Sequence, residues 1–161
     1  QPVAVDQQAL PEPVQPPAVP SQEPRSTGRP AVVLYVDDDP VNVEIMRALV
    51  TQISDIQLVS AKTVRDALQQ MQAVKPAAAL VDMHLPDGNG LDVIRALRLQ
   101  PWARDLPIAI VSADSQGEAV SQALREGAVA FIAKPLDFKS TIAQIQALLA
   151  SSAAAARWDS A

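Results

Sequence analysis

From residue 31 the chain alternates short apolar, β-branched runs with amphipathic stretches of helical period. The runs are Ala31–Val36, Ile56–Ser60, Ala77–Asp82, Pro107–Ser112 and Val129–Ala133. They lack the polar alternation of a half-exposed strand, which points to strands covered on both faces, as in a parallel sheet. Between them, helical spacing groups Val41, Ile45, Ala48 and Leu49 on one face, and Val64, Ala67, Leu68 and Met71 on another. Leu91, Ile94 and Leu97, then Val120, Ala123 and Leu124, then Phe138, Ile142, Ile145 and Leu149 follow the same rule. Strands each followed by a helix, joined by right-handed crossovers, predict an α/β domain with a doubly wound, five-stranded parallel sheet over residues 31–150.

Residues 1–30 read differently. Eight of the chain's 14 prolines fall there, and neither a helical nor a strand period survives. Such sequence favours extended, solvated conformations, so a disordered proline-rich linker is expected. Pro13 to Pro16 and Pro17 to Pro20 fit P-x-x-P, but that spacing arises freely in any proline-rich run. After Ala150 the Ser- and Ala-rich residues 151–161 have no apolar face and are expected to form a flexible tail, although alanine propensity would also allow the last helix to continue.

Composition narrows the chemistry. Hydrophobic residues make up 48% of the chain but aromatics only 3%, so the core must be built from Val, Ile, Leu and Ala. The absence of cysteine excludes disulfide scaffolds, thiolate metal sites and cysteine nucleophiles. A single histidine, His84, excludes sites that need two imidazoles. A net charge of -5 argues against a broad nucleic-acid footprint. No apolar run approaches the roughly 18 residues of a membrane span, and nothing resembles a signal peptide.

In a doubly wound sheet, chemistry is expected at the carboxyl ends of the strands. The first strand ends in Asp37-Asp38-Asp39-Pro40, the third in Asp82, the fourth in Ser112 and the fifth in Lys134-Pro135. Carboxylates gathered at one edge are costly unless a cation or an anionic ligand balances them. Close carboxylates suit Mg²⁺, a hard ion that keeps several waters and binds phosphate oxygens. A carboxylate can also accept a phosphoryl group, and a lysine and a hydroxyl can neutralise the oxygens of that group.

The segments VVLYVDDDPVN (32–42), ALVDMHLPDGNG (79–90), PIAIVSA (107–113) and GAVAFIAKPL (127–136) carry a resemblance. In these the chain resembles the receiver domain of two-component response regulators, the CheY-like, flavodoxin-like fold. The resemblance implies a (βα)5 fold with strand order 2-1-3-4-5. It implies Asp82 as phosphoacceptor, and Asp37, Asp38, Asp82 and the backbone carbonyl of His84 as ligands of Mg²⁺. Lys134 would pair with the phosphoryl group, Ser112 would hydrogen-bond it, and Phe131 would be the switch aromatic. The Lys134–Pro135 bond would be cis. Implied partners are a histidine kinase or histidine phosphotransfer domain, in the cytoplasm, with possible dimerisation through the fourth helix, fifth strand and fifth helix. No direct nucleic-acid binding or membrane contact is expected of this segment.

Several residues also have plainer readings. Asp39 precedes Pro40, a favoured first helical residue, and reads as a helix cap. Gly88 and Gly90 serve a turn and clearance beside the next helix. His84 lies in a loop and is expected to face solvent, while Trp102 and Arg104 read as surface-loop residues. A haloacid-dehalogenase-type phosphohydrolase would want Asp-x-Asp-x-Thr after the first strand, and Asp37-Asp38-Asp39-Pro40-Val41 lacks the Thr. A non-phosphorylated interaction module would be favoured by loss of an acid or the lysine, and all are present. The chain opens with Gln1, and a linker precedes the receiver-like part. That order suggests the C-terminal receiver of a hybrid sensor histidine kinase rather than a stand-alone response regulator.

Overall fold

The apolar runs pair as expected, and a short ribbon is added after the third. The structure, a computed structural model, describes residues 30–114 and 116–160, with side chains through 151. The proline-rich linker expected over 1–30 lies, but for Pro30, outside the described residues. In chain order the strands are β1 (Ala31–Val36), β2 (Ile56–Ala61), β3 (Ala78–Asp82), β4 (His84–Leu85), β5 (Gly88–Asn89), β6 (Ile108–Ser112) and β7 (Ala130–Ala133). The helices are α1 (Pro40–Val50), α2 (Val64–Val74), α3 (Gly90–Arg98), α4 (Glu118–Arg125) and α5 (Phe138–Ser160). Five strands form a parallel sheet in the order β2-β1-β3-β6-β7, the flavodoxin-like arrangement, while β4 and β5 make a separate antiparallel ribbon. Every residue of the central strands β3 and β6 is buried, which explains why their sequences show no polar alternation.

Strand alternation divides the core in two. Leu34, Val36, Ala79, Val81, Ile108 and Ile110 face one way, against Ala67 and Met71 of α2, Ile94 and Leu97 of α3, and Val120 and Ala123 of α4. Val33, Tyr35, Leu80, Ala109, Val111 and Ile132 face the other way, against Val43, Met46 and Leu49 of α1 and Ile145 and Leu148 of α5.

Four readings change at this level. The buried face of α1 is Val43, Met46, Leu49 and Val50, so of the expected stripe only Leu49 is buried. Val41 is 63% exposed, and Ala48 is exposed as well. This helix carries two overlapping apolar stripes, and the sheet takes the second. Similarly, Phe138 of α5 is 46% exposed rather than core. Trp102 is not a surface-loop ornament: it is half-buried, packs against the α2–α3 side of the core, and has the Lys75 ammonium 6.0 Å from its ring centroid. Finally, α5 continues past Ala150 to Ser160, so the Ala-rich stretch extends the last helix as alanine's propensity favours.

One side chain ties the far edge of the domain together. The Arg98 guanidinium, at the end of α3, donates to the carbonyls of Ala103 (2.8 Å), Arg104 (2.9 Å) and Gly127 (2.7 Å). It thereby joins α3 to the loop before β6 and to the turn before β7. Gly127 sits at φ +128°, and a Cβ there would fall 2.7 Å from Arg98 Nε, so both backbone shape and space require glycine. Arg98→Ala leaves these carbonyls without their donor and is expected to lower the unfolding free energy by about 2 kcal/mol in urea titrations. A variant as stable as the wild type would contradict this role.

Candidate functional site

Register assembles the site. Val36 pairs with Val81, so the next residues, Asp37 and Asp82, emerge side by side from adjacent parallel strands. Asp82 pairs with Val111, which puts Ser112 one step further along the neighbouring strand. Ser112 in turn pairs with Ala133, so Lys134 follows at the same edge. Its backbone N–H donates to the Ser112 carbonyl at 3.0 Å, extending the ladder by one bond. The chain runs from β1 to β2 on one side and returns to β3 on the other. The acidic pair thus lies where the strand order reverses.

Asp37 is fully buried, and protein donors reach both of its oxygens. Oδ1 accepts the Asp39 N–H at 2.9 Å, and Oδ2 accepts the Tyr35 hydroxyl at 2.5 Å. Lys134 Nζ lies 3.2 Å from the same Oδ2 and 3.1 Å from Oδ2 of Asp82. Burial alone would raise the Asp37 pKa. The Tyr35 hydroxyl, the Asp39 amide and the Lys134 charge outweigh it and hold this carboxyl below its ordinary range. Asp82 goes the other way, raised by burial and by the neighbouring charge of Asp37 despite the opposing Lys134. Burial pulls the Lys134 pKa down, but the two carboxylates more than offset it and the ammonium is held charged.

Asp38 is exposed at the mouth of the cluster, and Asp39 caps α1 by accepting the Val41 N–H at 2.9 Å. Asp37, Asp38 and Asp82 each offer one carboxylate oxygen, and these three atoms lie within 4.8 Å of one another. All are hard oxygen donors, and one ammonium does not balance them, so the set fits Mg²⁺ by both donor type and charge.

The loop after β3 is braced around Asp82. The His84 N–H approaches Asp82 Oδ1 at 3.4 Å, and His84 itself is exposed. Gly90 opens α3 by donating to the Met83 carbonyl, and a Cβ on it would come within 3.0 Å of the Asp82 carbonyl oxygen. Asp87, in the same loop, accepts the N–H groups of Val64 (2.7 Å) and Arg65 (3.1 Å), anchoring the loop to the start of α2. Ser112 is buried, and its Oγ accepts the Asp114 N–H at 3.1 Å. Phe131 is half-buried against the α2–α4 side of the core, apart from the acidic cluster's own hydrogen bonds, and its carbonyl accepts from Gln144 at 2.8 Å. The Lys134–Pro135 bond is cis.

Tyr35 is the member of this site that the sequence reading missed. Its signal was available: a lone phenol in an otherwise aliphatic strand, two residues before Asp37 and therefore on the same face.

Residues 33–146 match the response regulator receiver domain family. Among relatives, the chain is 30% identical over 117 residues to the phosphate regulon transcriptional regulatory protein PhoB of Klebsiella pneumoniae, covering 73% of this chain and 51% of that protein. It is 33% identical over 108 residues to the transcriptional regulatory protein MalR of Bacillus subtilis, covering 66% of this chain and 45% of that one. The chain thus spans about half the length of the curated relatives it matches. Among solved structures, a LuxR-family two-component response regulator from Aurantimonas sp. SI85-9A1 superposes with a TM-score of 0.67 at 27% identity, over 75% of this chain and 86% of that one. The fold agrees with these matches, and the chain belongs to the response regulator receiver domain family.

Proposed function

We propose that this receiver takes a phosphoryl group from a phosphohistidine onto Asp82 with the help of Mg²⁺, and changes conformation when it does. The observation that carries the proposal is the shared ammonium: Lys134 Nζ bridges Oδ2 of the buried Asp37 and Oδ2 of Asp82. A carboxylate whose oxygen already faces a fixed cation is prepared to attack phosphorus, because the incoming oxygens meet positive charge without reorganisation. In the step, an Asp82 oxygen forms the new O–P bond as the N–P bond to the partner's imidazole breaks, giving an aspartyl phosphate. Asp37, Asp38, Asp82 and the His84 carbonyl would hold Mg²⁺, which when bound supplies charge neutralisation at the transferred oxygens. Lys134 follows the new charge, and Ser112 donates its hydroxyl to a phosphoryl oxygen.

Ser112 and Phe131 stand on adjacent strands, β6 and β7, and this supports a coupled change in which Ser112 moves toward the phosphoryl group, Phe131 packs inward and the α4–β7–α5 face is altered. That face exposes Leu124 and Val129, 44% and 58% accessible, and is the surface we propose for output or dimerisation. The donor is proposed to be a protein, a histidine kinase or histidine phosphotransfer domain. Support comes from the outward stripe of α1: Pro40, Val41, Ile45 and Ala48, with Phe138 and the exposed Glu44, line a mainly apolar groove of about 490 Å³. The groove begins one residue after the Asp39 cap and includes Phe138, four residues beyond Lys134, so it is built from the segments that follow the acidic pair and the lysine. The proline-rich run before β1 supports a tethered receiver, as on the C-terminal side of a hybrid sensor histidine kinase. Among the described residues no helix is long and apolar enough to cross a membrane. The cytoplasm is the compartment we propose for the reaction.

Asp82→Asn is expected to reduce phosphate incorporation from acetyl phosphate and Mg²⁺ to background, measured by intact mass. Stoichiometric labelling of that variant would overturn the assignment. Val41→Asp combined with Phe138→Ala is expected to slow transfer from a phosphorylated histidine phosphotransfer domain about tenfold, the cost of losing anchors at a protein interface. Labelling by phosphoramidate, a small donor that needs no groove, should stay at the wild-type rate. Equal slowing with both donors would count against the groove as a docking surface.

A further inference from the structure

The Mg²⁺ site proposed above depends on how the Asp37 carboxylate is held. Asp37 is fully buried, so solvent does not set its rotation and its orientation comes from protein donors alone. Three reach it: the Asp39 N–H on Oδ1, and the Tyr35 hydroxyl and Lys134 ammonium on Oδ2. Lys134 is shared with Asp82, so Tyr35 is the one donor to Oδ2 that belongs to Asp37 alone. Strand geometry makes this contact repeatable, since residues 35 and 37 of an extended chain project from the same face. The Tyr35 ring is itself fully buried in the α1–α5 side of the core, which leaves the hydroxyl little freedom to turn away.

We infer that Tyr35 is a positioning residue for Mg²⁺ binding, its hydroxyl fixing the Asp37 carboxylate in the orientation that presents its one remaining acceptor position, on Oδ1, to the ion. The inference rests on the functional reading above and extends it to a residue outside the acidic cluster. A carboxylate has about four acceptor sites, so these three donors leave room for a metal. Donors behind a metal ligand typically change affinity by one or two orders of magnitude when removed.

The test is a titration of the whole chain with Mg²⁺ alone, followed by the amide resonances of Met83 and His84. Tyr35→Phe keeps the ring and removes only the hydroxyl, and is expected to raise the dissociation constant about tenfold. A Phe variant that is folded by its amide dispersion and binds within twofold of wild type overturns the inference, since a merely space-filling tyrosine predicts that result. A second readout does not rely on the variant. Tyr35 is the chain's single tyrosine, so ring-labelled tyrosine gives one set of signals in the wild-type protein. Those signals should shift with Mg²⁺ in step with the Met83 and His84 amides, and signals unmoved at saturation would contradict the inference. Failure of the wild type to bind Mg²⁺ would overturn the functional reading itself. Binding by the wild type with unaltered affinity in Tyr35→Phe overturns only the role of Tyr35.

Discussion

Two buried carboxylates and one ammonium meet at the carboxyl ends of β1, β3 and β7, and much of the domain can be understood as the means of holding them there. Asp37 and Asp82 repel one another in a poorly solvated site, and an unpaired buried charge costs several kcal/mol. Lys134 relieves the repulsion by standing 3.2 Å from one and 3.1 Å from the other. The relief is partial, because one positive charge faces two negative ones with Asp38 close by. A site left with excess negative charge attracts a divalent cation, and a phosphoryl group can then enter against metal and lysine together. The electrostatic imbalance that burdens the fold is thus the source of the proposed chemistry.

The burden is met by rigid surroundings. Parallel pairing brings Asp37 beside Asp82, and the β6–β7 pairing delivers Lys134 to the same edge. Tyr35 and the Asp39 amide hold Asp37 from behind, while Gly90 and Asp87 brace the loop that follows Asp82. None of these supports touches the expected phosphoryl group. They set the positions of the residues proposed to do so, which is where preorganised catalysis gets its advantage. Two-sided burial of β3 and β6 anchors the strands that deliver Asp82 and Ser112 to this edge.

The sheet was legible because its signal is strong. Uninterrupted runs such as Ala77–Asp82 and Pro107–Ser112 gave strand boundaries within about a residue of those observed, and the acids and lysine stood at predictable strand ends. The helices were harder where apolar positions exceed one face. On α1 both Val41/Ile45/Ala48 and Val43/Met46/Val50 satisfy helical spacing, and only docking on the sheet decides between them. The stripe left outside is not wasted signal, since it forms the apolar groove beside the acidic edge. Trp102 was misread because the loop around it is polar, whereas its packing partners come from the distant α2–α3 side of the core. The β4–β5 ribbon was not anticipated, as two-residue strands are too short to show a period. Tyr35 was overlooked because hydrophobic pattern treats a buried phenol as another apolar residue and ignores its hydroxyl.

The proposed chemistry requires Asp82, and no other carboxylate at this edge, to be the phosphoacceptor. It is tested most directly by phosphorylating the wild-type chain with Mg²⁺ and a small phosphodonor, reducing the acyl phosphate with borohydride, and locating the product by peptide mass mapping. Reduction converts a phosphorylated aspartate to homoserine, so the modified position is read without any substitution. The expected product carries homoserine at position 82 and unmodified aspartate at 37, 38 and 39. Homoserine at any of those three positions, with Asp82 unmodified, would contradict it.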